Sequence, residues 1–184
     1  SPLMATDQAR QIARLTDPVI LITDEKLSTQ ADVIETLIIA AEDGRDCLII
    51  SDGIDGDALA IVLGNNREGR LRTVCVGAPE YGEGRRWRLE DLAVQTGGIF
   101  FAKDAGMRLQ DATREMLGQA AAATITAKRC TITGGKGNPE AVEERIAQLR
   151  HYATTTDYEF NRQRYAERLA KFVSGVATIN VGGT

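Results

Sequence analysis

Residues 47–66 read CLIISDGIDGDALAIVLGNN, an apolar run, an acidic glycine turn and a helical stretch in immediate succession. Residues 47–50 have the length and unbroken apolarity of a strand buried on both faces. Residues 52–57 form the turn. From Ala58 to Asn66 the apolar residues recur at helical spacing, and on more than one face. Ala58, Ile61 and Val62 share one face, and Leu59 and Leu63 share another. A helix on a domain of modest size needs one buried stripe. A second stripe is either more core or a surface built to be apolar.

The same alternation of strand and helix extends to both sides. Residues 18–23 read as a buried strand. Ser28 or Thr29 caps a helix that runs to about Glu42 and ends at Gly44. On that helix Val33, Leu37 and Ala40 can face a sheet, Ile34, Ile38 and Ala41 turn away, and Leu37 lies near the edge between the two sets. Residues 71–76 predict a strand, 85–96 a helix stopped by Gly97-Gly98, and 99–101 a short strand. Helical periodicity recurs over 108–117. The β-branched stretches 123–130 and 131–133 predict a strand pair, followed by a turn at 134–137. Asn138-Pro139-Glu140 opens a helix to about His151 with a cap, a proline at the first position and an acid in the first turn. A charged helix over 158–172 and a strand over 175–181 complete the chain. The pattern predicts an α/β fold with a largely parallel core.

The chain has 184 residues, the length of one domain, or one and a fraction, with a real core. Its net charge is -4, the wrong sign for a protein that grips a phosphate backbone, so no nucleic-acid partner is expected. No apolar run approaches the roughly 20 residues of a membrane helix, and the start has no signal-peptide pattern, so no membrane partner is expected either. Cys47, Cys75 and Cys130 lie far apart in apolar or β-branched runs, without metal-ligand spacing. They read as buried free thiols of a reducing, cytoplasmic compartment. The chain opens at Ser1 and stops at Thr184 without a clear cap or stop, as expected of cut edges of a larger protein.

Few residues invite chemistry. The turn Asp52-Gly53-Ile54-Asp55-Gly56-Asp57 stands where dinucleotide proteins hold phosphate, but it lacks GxGxxG and its three aspartates would repel a pyrophosphate. The same aspartates suit the helix dipole. Their spacing also lacks the EF-hand pattern, although a Mg²⁺-dependent phosphoryl-transfer α/β enzyme built on Asp52, Asp55 and Asp57 is the second reading of the chain. Gly134-Gly135-Lys136-Gly137 lacks the GxxxxGK[ST] of a phosphate loop and reads as a turn. His151, the single histidine, ends a charged helix with no nucleophile or carboxylate at a recognisable spacing. Arg85-Arg86-Trp87-Arg88 reads as a helix start with Trp87 packed. No catalytic, cofactor or metal residue is expected, and the apolar excess remains to be explained.

The order of the pieces resembles the apical domain of GroEL-type (group I) chaperonins. ILITDEKLS at 20–28 is similar to that family's strand and helix start. CLIISDGIDGDALAIVLGN at 47–65 resembles its strand–EDVEGEAL–helix segment. VGAPEYGEGRRWRLEDLAVQTGG at 76–98 resembles its KAPGFGDRRK…LEDIA…TGG segment. Ala105-Gly106-Met107, Leu117-Gly118-Gln119-Ala120, Gly134-Gly135 and the segments 143–149, 166–171 and 175–177 fit as well. The likeness covers essentially the whole chain.

It implies a layered apical-domain fold, a sheet flanked by helices of the swivelling β/β/α type. Residues 1–174 would form the polypeptide-binding domain and 175–184 a return strand toward an intermediate domain. It further implies that the helices at 28–43 and 57–66 form a groove for non-native polypeptide and, competitively, for the mobile loop of a GroES-type co-chaperonin. The family's groove positions fall on Ile34, Leu37, Leu59, Leu63 and Gly64, and a nearby extended edge on Leu3 and Met4; Ile38 joins them as an apolar residue at a position usually charged. ATP and Mg²⁺ would belong to equatorial segments outside this chain, as would assembly into a ring. The departures are Gly64, where the family usually carries an aliphatic residue, Leu3 and Met4, where it carries aromatic ones, and Gly77 and Glu80 in a loop that is usually more basic. These fit a divergent chaperonin with an altered client range. A scaffold or adhesion role outside a ring is the third reading.

Overall fold

The computed structural model describes Met4 and residues 11–181. The first described strand, β1 (Ala13–Thr16), kinks at Asp17 (φ 47°) and continues as β2 (Val19–Thr23). The carboxylate of Asp17 holds the kink by accepting from Lys136 at 2.9 Å and Arg45 at 3.0 Å. Two βα units follow. The helix α1 (Gln30–Glu42) leads to β4 (Cys47–Ser51), and α2 (Gly56–Arg67) leads to β6 (Thr73–Gly77). The strands β2, β4 and β6 lie side by side and parallel, with Val19 beside Cys47 and Cys47 beside Thr73. Every residue of β2 and β4 is buried, as their unbroken apolarity requires of a sheet covered on both faces.

Right-handed crossovers in one direction along the sheet place α1 and α2 on one face, running parallel to each other and in contact. After β6 the chain reverses. The helix α3 (Gly82–Thr96) returns on the opposite face to β7 (Phe100–Phe101), which pairs with the far side of β2. Beyond β7, β8 (Gly118–Ile125) and β9 (Arg129–Gly135) form a hairpin; the hairpin α4 (Pro139–Thr155) and α5 (Glu159–Ser174) packs behind α3; and β10 (Val176–Asn180) lies antiparallel to β9. One edge of β8 carries β2 at Gly118 and Gln119 and β1 from Ala122 onward; the other carries β9. β8 therefore fuses the parallel and antiparallel halves into one sheet with one apolar core. The result is a layered α/β fold, a mixed sheet flanked by helices.

Three local readings change. Residues 108–117 form no α-helix. They make two 3-10 turns, Leu109–Asp111 and Arg114–Met116, closed by i to i−3 bonds such as Asp111 N to Arg108 O at 3.0 Å. The first of them packs against α1, burying Leu109 and Ala112, and that contact supplies the spacing that resembles a helix. The hairpin turns at Thr126–Lys128, three residues before the expected break, because Thr126 pairs with Arg129 through its N–H and accepts from Lys128 and Arg129 on its hydroxyl. Gly134 and Gly135 continue β9 rather than forming a turn. Beyond them, a Cβ on Gly137 would run into the carbonyl oxygens of Val94 and Gln95, so only glycine lets the entry to α4 pass the end of α3 at this distance. The strand expected at the end of the chain is present as β10, which pairs with β9 along its whole length and buries Ala177 and Ile179.

Candidate functional site

A two-stranded ribbon fixes the two helices of the first face in register. β3 (Lys26–Leu27), just before α1, pairs in parallel with β5 (Gly53–Ile54), just before α2. Asp55 N–H donates to Leu27 O at 2.9 Å and Ala58 N–H to Ser28 O at 3.2 Å. Lys26 Nζ meets Asp55 Oδ2 at 2.5 Å, and the hydrogen bond from Lys26 holds the Asp55 carboxyl below its ordinary range. Gly56 is the tightest point. Its φ is +52°, and a Cβ there would press on the carbonyl oxygen of Ser28. Asp32 closes the first turn of α1 by accepting from the N–H groups of Ser28 at 2.9 Å and Thr29 at 2.8 Å. Burial works to raise its carboxyl, and those two donors together with the Thr29 hydroxyl outweigh it. At the far end, Arg114 grips Asp43 at 2.8 Å and Glu42 at 3.1 Å, tying the end of α1 to the second 3-10 turn.

With the helices clamped at their starts, their side chains sort into two sets. Val33, Leu37, Ala40, Ala58 and Val62 are buried against the sheet. Ile38 is 42% exposed, and Ile34, Leu59 and Leu63 are half-buried. Leu59 and Leu63, together with Ile61, still touch the core beneath them. Gly64 stands half-buried on α2 with open space where a side chain would project. The face is thus aliphatic, with Ile34 and Ile38 contributed by α1 and Leu59 and Leu63 by α2.

Two of the expected contacts are corrected. Leu37, only 3% exposed, belongs to the core, because its place on α1 points at the strands. Met4 is 5% exposed and its sulfur accepts from Cys75 N–H at 3.4 Å, so it packs beside β6 and offers no open edge. Leu3 lies outside the described residues.

The acidic turn is engaged by cations of its own chain. Asp52 is held by Arg85 from the first turn of α3, Asp55 by Lys26, and Asp57 lies in the first turn of α2. Among the described residues no three histidine, cysteine or acidic side chains gather as a metal site would require. His151 sits exposed on α4, 5.9 Å from the Tyr152 ring. Trp87 is half-buried under Arg168 and Arg164, whose guanidinium carbons lie 5.5 and 5.8 Å from its ring centre. Cys47 and Cys130 are buried free thiols and Cys75 is half-buried.

A second concavity was not visible in the sequence. It is a cavity of about 290 Å³ between α3, α5 and β10, whose charged lining comes from Glu80, Arg88, Asp91, Arg168 and Lys171. Residues so far apart along the chain leave no local motif.

A scan against models of known protein families finds no match. No helix among the described residues is long and apolar enough to cross a membrane.

Proposed function

We propose that this chain is the polypeptide-capturing apical domain of a GroEL-type, ATP-dependent chaperonin of the cytoplasm, holding non-native polypeptides by their apolar stretches along the seam of α1 and α2. The mobile loop of a GroES-type co-chaperonin would compete for the same seam. The observation that carries this reading is the aliphatic outward set Ile34, Ile38, Leu59 and Leu63 on two helices that a dedicated ribbon holds side by side. Capture of this kind needs no catalytic group. Burial of apolar surface is non-directional and contributes roughly 25 cal/mol per Å², so one aliphatic seam accepts many sequences. A single seam binds weakly, and a ring of copies gains by avidity. Release would depend on ATP and Mg²⁺ acting in other domains of the parent protein, so this domain by itself holds rather than folds its clients.

The test is suppression of aggregation of a chemically unfolded client, comparing the wild type with Leu59→Ser/Leu63→Ser after circular dichroism has shown both to be folded. Capture by the wild type and its loss in the folded double variant are expected. Equal capture by both would place the binding surface elsewhere and overturn the proposal.

A further inference from the structure

The cavity between α3, α5 and β10 lies on the other side of the sheet from α1 and α2, and its wall has two characters. One part is apolar, formed by Leu92, Phe172 and Ile179, all buried. The other is charged, and its charges are unevenly satisfied. Arg168 is committed to Asp91 through two hydrogen bonds at 2.6 and 3.0 Å. Arg88 is committed to Glu80 at 3.0 Å. Lys171 has no such partner. Its Nζ donates to the carbonyl oxygen of Thr178 at 2.9 Å, and no carboxylate among the described residues lies within ion-pairing distance. An ammonium carries three donors, and only one of them is used by a described group of the protein.

A partly buried cation without a carboxylate partner, set in a wall that is half apolar, is costly unless an anion accompanies it. We infer that this cavity binds a small organic acid, its carboxylate on Lys171 Nζ and its apolar body against Leu92, Phe172 and Ile179. The volume, about 290 Å³, sits at the small end for ligand sites and suits a compact aromatic or aliphatic monocarboxylate. Glu80 and Asp91 are each already paired with two arginines, so they do not bar a single negative charge. This site stands on the cavity alone and is independent of capture at α1 and α2.

The experiment is titration of the isotopically labelled chain with phenylpropionate, followed by amide chemical shifts, with the neutral phenylpropionamide as the matched control. Saturable shifts centred on Phe172, Thr178 and Ile179 are expected with the acid. Affinity should fall about tenfold or more with the amide and in Lys171→Met, the loss that follows from removing one charge-assisted hydrogen bond. The ligand-side comparison uses only unaltered protein, so it decides the matter even if the variant folds poorly. Shifts that fail to saturate, that are the same for acid and amide, or that centre on α1 and α2 would each overturn the inference.

Discussion

Asp91 shows how one carboxylate can join three helices. It lies on α3, is buried, and accepts from Arg168 of α5 in a two-bond fork and from Arg145 of α4 at 3.0 Å. Asp91→Asn keeps the volume and removes the charge that both guanidiniums need. It is expected to cost about 3 kcal/mol in urea denaturation, the scale of a broken buried ion pair. Lys171, nearby, weighs against the folded state while it is charged. Burial first, then Arg88, pull its ammonium down to about 8 from 10.5, with Glu80, Asp91 and Glu167 opposing. Above about pH 8 the unfolded chain therefore binds more protons at this residue than the folded one, and stability rises with pH. Burial pushes the thiols the other way, Cys75 and Cys130 up to about 12 and Cys47 higher still. The folded chain keeps those protons where the unfolded chain, with thiols near 9.0, releases them, so stability falls beyond that point. Denaturation midpoints measured from about pH 7 to about pH 10 should pass through a maximum near the thiol value, and Lys171→Met should remove the rising limb alone.

At the scale of elements, the two glycines of α2 should respond with opposite signs. Gly56 has a positive φ and abuts Ser28 O, so Gly56→Ala is expected to cost at least about 1–2 kcal/mol and to splay the helix starts. Gly64 sits in regular helix with nothing near its missing side chain, and Gly64→Ala should add about 0.5–1 kcal/mol. Thermal unfolding of the two variants would check both signs. Much of this face was legible in advance. Spacing alone separates Val33 and Ala40 from Ile34, Ile38 and Ala41, and the structure buries the first pair and leaves the second group half-buried or exposed. Leu37 lies at the boundary, where a few degrees of rotation decide its fate, and periodicity cannot resolve that. The β3–β5 ribbon is two residues wide on each side, too short for any alternation to register. The stretch 108–117 misleads for the reverse reason: Leu109 and Ala112 repeat at a spacing that an α-helix and a 3-10 turn share. The second cavity assembles from α3, α5, β10 and the segment before α3, so its residues carry no common spacing.

At the scale of the molecule, the sheet has no seam at which to cut it. A chain ending at residue 174 would strip β10 from β9 and uncover Cys130 and Ile132, which are buried in the whole domain. Such a truncation is expected to lose cooperative unfolding in urea and to aggregate. Because β8 is bonded to both halves, the intact chain should instead unfold in a single transition.

The place of β1 at the edge of β8 also sets an order of events during synthesis. Ala13 lies opposite Ile125, so the first described strand has no partner until more than a hundred further residues have been made. At roughly 5–20 residues per second, Leu15 and its neighbours spend on the order of ten seconds as unpaired apolar strand. β2, β4 and β6 can pair during that interval without them. If the domain holds other non-native chains as proposed, its own first described strand is among the segments that would need holding.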